Sequence, residues 1–220
     1  MERTVIFGTA HLDHPWIPGK CSPDGLFKEA IFSRELIKDL VPIMQSYGFN
    51  SLVDYPGLTP DNINIKSYKN DWKKQQQAEL DYRVKFVNNA VNKYGKDNVI
   101  YVSLHVNAAG NGKEWMKARG WEIYTSPGNT KADILSTCIF NAAKNYVGDG
   151  DIILRPDWSD GDPDKEANYY VLTKTKCPAV LVENLFMDNE KDLSILTSDI
   201  GFMKLERIII EGILSYWIKV

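Results

Sequence analysis

The sequence contains few cysteines and few histidines, and each shortage narrows what the chain can be. Three cysteines occur among 220 residues, and they are widely separated, at Cys21, Cys138 and Cys177. An odd number of distant cysteines argues against a disulfide framework and is typical of folding in a reducing compartment. With only three histidines in the chain, any histidine that follows a predicted strand is a notable candidate for chemistry.

Long apolar runs and basic clusters are missing as well. The first apolar run ends at Gly8, too early for the core of a secretory signal peptide, and no later run is long enough to span a membrane. The formal net charge is -3, and no stretch forms the basic face that nucleic-acid binding needs. We therefore expect a chain that is made in the cytoplasm without a signal peptide and has neither a membrane span nor a nucleic-acid partner.

The residues that are present suit one folded domain. Hydrophobic residues make up 44% of the chain and charged residues 25%, which excludes a disordered protein. At this length a single domain is the default, and we find no internal repeat and no linker. We expect residues 1–220 to form one domain and the protein to be a monomer.

Short apolar segments alternate with helical periodicity. The spacing of apolar residues predicts helices at residues 29–47, 80–94, 135–146 and 202–217. Segments rich in β-branched and apolar residues predict strands at residues 5–7, 51–53, 99–104, 121–125, 169–173 and 179–182. Strands that alternate with long helices predict an α/β fold, a single domain whose open, mostly parallel sheet carries helices on both faces.

Polar residues directly after predicted strands are candidates for a site, because ligands of open α/β sheets bind beyond the carboxyl ends of the strands. His11 follows the first strand, His105 the strand at 99–104, and Glu183 the strand at 179–182. A lone histidine in such a place is more often a core residue than a ligand. Two of them together with Glu183 favour a metal site.

A hydrolytic zinc site commonly takes three protein ligands from histidine and carboxylate side chains and leaves one position for water. His11 and His105 offer two nitrogens, and Glu29, at the start of the first predicted helix, is a candidate third ligand. A carboxylate in a first helical turn also interacts favourably with the helix dipole without any metal. Spacing alone leaves both interpretations of Glu29 open, since the three residues form no compact motif.

Four segments spread over the whole chain carry a family resemblance: FGTAH, PGKCSPDGLFKEAIFSRELI, YVSLHVNAAGNGKEWMKARGWEIYTS and CPAVLVENLFMDN. They resemble the zinc-dependent N-acetylmuramoyl-L-alanine amidases, especially the short phage and Bacteroides-like forms. SLHVNA is similar to the S-[IVL]-H-x-N-A segment of that family, and VLVENLFMDN is similar to its V-L-V-E-x-x-F-x-x-N segment.

The resemblance implies an enzyme that holds one zinc ion per chain and hydrolyses the amide bond between N-acetylmuramic acid and L-alanine in peptidoglycan. It places the zinc ligands at His11, Glu29 and His105 and the general base at Glu183. It makes peptidoglycan the partner. Because the sequence predicts no signal peptide, we expect the protein to reach the wall after release from the cell or by unconventional export. The alternatives are a zinc peptidase acting within the stem peptide and a non-enzymatic wall-binding or phage structural protein. A pure binder has no use for a general base, which argues against the latter.

The sequence departs from the family pattern near the first histidine and after Glu183. Ala10 and Leu12 flank His11 where the family usually has glycines, and the longer stretch LDHPWIPGK adds His14 as a second candidate ligand. We favour His11, because a strand end holds a ligand more rigidly than a loop between prolines. Leu185 stands where the family usually has glycine, which predicts a narrower site.

Weaker patterns concern substrate contacts and an acidic segment. Asn107 and Arg119 are predicted substrate contacts, with an ordinary surface role as the alternative. Four aromatic residues are candidates for a sugar-binding groove, although those in the predicted strand are equally suited to the core: Trp115, Trp121, Tyr124 and Trp158. The aspartates between residues 157 and 164 lack the glycine and glutamate of a calcium-binding loop, so we predict a solvated turn there.

Overall fold

The computed structural model describes residues 2–12, 20–57, 71–147 and 152–220. In these residues a six-stranded sheet lies between two layers of helices, as predicted for an α/β domain. The strands are β1 (Thr4–Thr9), β2 (Asn50–Val53), β3 (Val99–Asn107), β4 (Glu122–Thr125), β5 (Lys165–Glu166) and β6 (Ala179–Phe186). The helices are α1 (Glu29–Ser46), α2 (Trp72–Tyr94), α3 (Lys131–Ala143), α4 (Tyr170–Lys174), α5 (Glu190–Leu196) and α6 (Asp199–Lys219). Within the described part of the chain, no helix has the length and apolar character needed to cross a bilayer.

The order of the strands is β2-β1-β3-β6-β4-β5. Strands β2, β1, β3 and β6 are parallel to one another, β4 is antiparallel to β6, and β5 is parallel to β4. The prediction of a mostly parallel sheet is therefore confirmed, with one reversal. The carboxyl ends of β1, β3 and β6 lie at the same edge of the sheet.

Strand β3 is apolar on both sides because helices cover both faces of the sheet. Its residues Ile100, Val102, Leu104 and Val106 belong to the larger core, which is shared with α1, α3 and α6. Val99 and Tyr101 belong to the second core, which is shared with α2 and α4. Odd-numbered positions of β3 therefore face α2.

The strand predicted at residues 169–173 is wrong. Residues Tyr170–Lys174 form the short helix α4, in which the amide groups of Leu172 and Thr173 both donate to the carbonyl of Tyr169. Val171 and Leu172 are consecutive and both buried in the second core. A turn of helix buries two consecutive side chains against one surface, whereas a strand would direct them to opposite faces.

Candidate metal and catalytic site

The predicted site residues come from three strand ends and one helix start. His11 follows β1 by two residues, Glu29 is the first residue of α1, and His105 and Glu183 are paired across β3 and β6. Because alternate residues of a strand share a face, His105 lies on the same side as Tyr101, and Glu183 on the same side as Leu181. The fold thus brings together the four residues that the sequence separates by up to 172 positions (183 − 11).

Glu29 lies between the two histidines. Its Oε1 is 2.9 Å from Nδ1 of His105 and accepts a hydrogen bond of 3.3 Å from the backbone amide of Val106. Its Oε2 is buried without a hydrogen-bond partner, although Nζ of Lys20 lies 3.5 Å away and Nε2 of His11 lies 3.8 Å away. The rings of His11 and His105 pack edge to face with centroids 5.1 Å apart.

Burial and neighbouring charges set the protonation of these groups. Burial lowers the pKa of His11 well below its usual value, which favours the neutral imidazole. Burial alone would raise the pKa of Glu29, but His11, Lys20 and His105 together outweigh it and hold that pKa below its usual value. Neutral imidazole and ionised carboxylate are the forms that bind metal ions.

The chemistry of this cluster fits a divalent metal. Ligand atoms of His11, Glu29 and His105 all lie within 4.8 Å of one another. A carboxylate oxygen that is buried and unpartnered is costly unless another group satisfies it. Two imidazoles and one carboxylate form a donor set that zinc takes in hydrolytic sites, so the residues present suit the ion that the sequence predicts.

Glu183 lies beside this cluster but does not belong to the group of three ligand atoms found in the described residues. Its Oε2 is buried without a hydrogen-bond partner. Burial, followed by the charges of Glu29 and Glu122, raises the pKa of Glu183 well above its usual value, while Lys20 opposes this effect. A carboxylate whose pKa is raised accepts a proton more readily.

The strand that carries Glu183 is irregular just beyond it. The register between β3 and β6 shifts after the pair His105 and Glu183, and Leu185 has φ of 67°. Such positive φ is uncommon for residues other than glycine, and bulges of this kind occur next to active sites. Leu185 is buried in the larger core and does not line the cavity described below, so the predicted narrowing of the site is wrong.

A cavity of about 430 Å³ opens over the cluster. Its lining includes His11, Lys20, Glu29, His105 and Glu183. The volume lies within the usual range for small-ligand sites, about 300–1,000 Å³.

Ser33 and Arg34 of α1 hold the segments that carry both histidines, and no sequence pattern predicts this role for either residue. The buried hydroxyl of Ser33 accepts from the backbone amide of Ala10 at 2.9 Å and donates to the carbonyl of Leu104 at 2.7 Å. Arg34 Nη1 donates to the carbonyl of Ala10 at 2.7 Å. The residues that precede His11 and His105 are thereby fixed to one helix.

Arg83 of α2 supports the end of β1 from the other face of the sheet. Its guanidinium pairs with Asp54 and Glu79, each at 2.8 Å, and donates to Thr9 Oγ1 at 2.7 Å. All three charged groups are buried. Arg83 is thus the partner of two buried carboxylates.

The predicted substrate contacts Asn107 and Arg119 both bind side chains of the protein itself. Asn107 lines the cavity, but its amide donates to Glu122 at 2.6 Å and its Oδ1 accepts from the amide of Ala108 at 2.8 Å. Arg119 forms an ion pair of 2.9 Å with buried Asp192 and does not line the cavity. A substrate role for either residue stays a prediction.

His14, the other candidate ligand near the first strand, lies outside the described residues. All three cysteines are free. Trp121 is fully buried in the larger core, so it does not line a groove. The solvated turn is wrong for Asp164, which is buried and accepts hydrogen bonds from Thr125 and Ser136.

The profile of the N-acetylmuramoyl-L-alanine amidases matches residues 14–215. This range includes Glu29, His105 and Glu183 and starts shortly after His11.

Two curated relatives match about half of the chain. The N-acetylmuramoyl-L-alanine amidase CwlM of Bacillus licheniformis is 32% identical over 124 residues, which are 54% of this chain and 40% of the relative. The endolysin of Bacillus phage SPP1 is 32% identical over 108 residues, which are 46% of this chain and 33% of the relative. The match thus spans less than half the length of each.

The fold is similar to that of the CwlD amidase from Clostridioides difficile, solved in complex with the GerS lipoprotein. The TM-score is 0.79, the identity is 21%, and the similarity covers 100% of both chains. At this identity the likeness shows the fold alone. Because the family profile extends from residue 14 to residue 215, the chain belongs to the N-acetylmuramoyl-L-alanine amidase family.

Proposed function

We propose that the protein is a zinc-dependent hydrolase that cleaves the amide bond between the lactyl group of N-acetylmuramic acid and the L-alanine of the stem peptide in peptidoglycan. One observation carries this proposal. The buried carboxylate of Glu29 lies between two imidazoles with one oxygen unpartnered, and a second buried carboxylate, Glu183, is paired in register with His105. Membership of the amidase family indicates that the bond cleaved is an amide of peptidoglycan.

His11, Glu29 and His105 would hold the zinc ion. When bound, zinc supplies Lewis-acid chemistry, lowering the pKa of a water and polarising a carbonyl. Glu183 accepts the proton of the attacking water on its unpartnered oxygen and then delivers it to the leaving amine of L-alanine. Burial favours the proton on Glu183 between these two steps, because it disfavours the charged carboxylate.

The bond specificity is tested by digesting purified peptidoglycan and analysing the fragments by mass spectrometry. We expect free amino termini of L-alanine and intact lactyl-bearing glycan. New termini further along the stem would instead show a peptidase, and no cleavage by zinc-loaded protein would contradict enzymatic function.

The metal assignment is tested by measuring zinc content. We expect about one zinc per chain, loss of activity with a chelator and recovery with added zinc. His11→Ala should lose zinc and His14→Ala should retain it, because His11 is adjacent to Glu29 at the end of β1. The reverse result would move the ligand to His14.

A further inference from the structure

We infer that Tyr169 forms a platform on which the N-acetylmuramic acid ring of the substrate packs, with its aromatic face toward the sugar. This inference rests on the proposed function, because it deepens the substrate assignment of the same cavity. The position of the ring, its packing on neighbouring side chains and the shape of the sugar next to the scissile amide all point to this role.

Tyr169 belongs to the cavity that contains Glu183. It is 41% exposed, which leaves a large apolar surface available beside buried carboxylates. Partial burial raises the pKa of its hydroxyl, and the charges of Glu183 and Glu122 raise it further. The ring therefore lies within electrostatic range of the group that we propose as the base.

The ring of Tyr169 is supported by neighbours of fixed position. It packs on Tyr124 of β4 with centroids 5.3 Å apart and an angle of 58° between the rings. The hydroxyl of Tyr124 donates to Glu122 at 2.8 Å, and Glu122 is buried in ion pairs with Arg155 and Lys165. A ring held in this way needs little further ordering when a ligand binds.

The substrate itself provides the matching surface. The lactyl ether joins the pyranose ring to the acyl carbon of the scissile amide, so the sugar must lie only a few bonds from the reacting atoms. A pyranose ring presents C–H groups that pack on an aromatic face, whereas L-alanine offers only a methyl group. Aromatic side chains also combine an apolar face with a polar edge, which suits a hydroxylated ring.

The other exposed aromatic residues of the described chain lie elsewhere. Trp72 is 49% exposed at the start of α2 and does not line the cavity. Trp115 borders a different depression, together with Leu193. Trp158 is 56% exposed but packs on Phe140 of α3. Tyr47 is 53% exposed at the carboxyl end of α1, the end opposite Glu29. Among exposed aromatic side chains that the structure describes, Tyr169 is the one that lines the cavity.

The test is the binding of peptide-free glycan chains to zinc-loaded protein, measured by calorimetry. These chains contain the sugar but no scissile amide, so binding is read without turnover. We expect Tyr169→Ala to weaken binding roughly two- to tenfold, the usual worth of an aromatic contact. Tyr169→Phe should bind like wild type, and the matched control Tyr47→Ala should be unchanged. Tyr169→Leu, which keeps apolar volume without a flat face, should also lose affinity and serves if the alanine variant does not fold.

Two results would overturn the platform: wild-type protein that does not bind the glycan, or folded Tyr169→Ala and Tyr169→Leu that bind it as well as wild type. The proposed function is read separately from the release of L-alanine amino termini by wild-type protein. If wild-type protein releases those termini and the variants bind glycan normally, the platform is disproved and the amidase function stands. If glycan binding depends on Tyr169 but wild-type protein releases no L-alanine termini, the amidase function is disproved and Tyr169 belongs to a sugar-binding surface.

Discussion

Two glutamates whose pKa values are shifted in opposite directions line the same cavity. Glu29 is flanked by His11, Lys20 and His105, and their combined effect keeps its pKa low and its carboxylate ionised. Glu183 faces the charges of Glu29 and Glu122 in a buried place, which raises its pKa. Paired groups whose surroundings shift their pKa values apart are typical of sites that divide ligand and base roles.

Exchange of each glutamate for glutamine separates the two roles. Glu183→Gln keeps the size but cannot accept a proton, so we expect turnover to fall roughly 10²–10⁴-fold while fold and zinc content persist. Glu29→Gln should lose zinc, because a neutral amide is a poor ligand for this ion. Zinc content and turnover are measured on both variants side by side. If Glu183→Gln loses zinc and Glu29→Gln keeps it, the roles are the reverse of those proposed.

Ser33 acts on both histidines through the backbone. Ser33→Ala removes the hydrogen bond to Leu104 and leaves the buried amide of Ala10 without an acceptor. We expect a loss of about 1–3 kcal/mol in the free energy of unfolding, and weaker zinc retention in competition with a chelator. Ser46→Ala is the matched control, since Ser46 is exposed in the last turn of the same helix. Equal effects of the two substitutions would show that Ser33 does not support the site.

Among the elements, α1 and α2 fix the carboxyl end of β1 from opposite sides of the sheet. Helix α1 does so through Ser33 and Arg34, and α2 through Arg83. Neither connection is local, because the hydrogen bonds join residues 23 to 74 positions apart. The position of His11 therefore depends on residues of two helices that lie 23 or more positions from the end of β1 in the sequence.

The contact through α2 is tested by Arg83→Met. This change leaves Asp54 and Glu79 buried without their cation, and we expect a loss of about 3–5 kcal/mol in urea unfolding. The control Lys131→Met breaks an ion pair with Asp97 whose two side chains are 62% and 60% exposed, and should change stability by less than about 1 kcal/mol. A loss no greater than that of the control would contradict the structural role of Arg83.

At the scale of the whole molecule, stability depends on the close packing of helices α3 and α6 against each other in the larger core. In α6, a Cβ added at Gly212 would lie 2.5 Å from the Cα of Ile139 in α3. The two helices therefore approach so closely that only glycine is accommodated at this position. This contact lies on the face opposite α2 and supports the larger core.

Gly212→Ala tests this packing because two effects have opposite signs. Alanine in a helix interior normally stabilises by about 1 kcal/mol relative to glycine, whereas a clash with backbone in a packed core costs about 1–3 kcal/mol. We expect the clash to dominate and the melting temperature to fall. Met203→Ala, on the exposed side of α6, should change stability by about 0.5 kcal/mol or less. An unchanged or higher melting temperature for Gly212→Ala would show that α3 and α6 lie further apart.

Local sequence patterns predict the alternation of strands and helices and the residues at the strand ends. Buried parallel strands must be apolar along their length, so polar residues directly after them, such as His11, His105 and Glu183, stand out from the pattern. The family segments added the distinct roles of Glu29 and Glu183.

The surroundings of those residues depend on how distant segments pack together. The hydrogen bonds of Ser33, the environment of Glu122 and the position of Tyr169 depend on contacts between distant segments, which no local pattern encodes. The same reason explains the helix at Tyr170–Lys174, where burial of two consecutive residues in the second core overrides the β propensity of the segment. Local periodicity specifies which face of a helix or strand is apolar. The neighbours of a polar residue are set only when the chain folds, and these neighbours determine the protonation on which the chemistry depends.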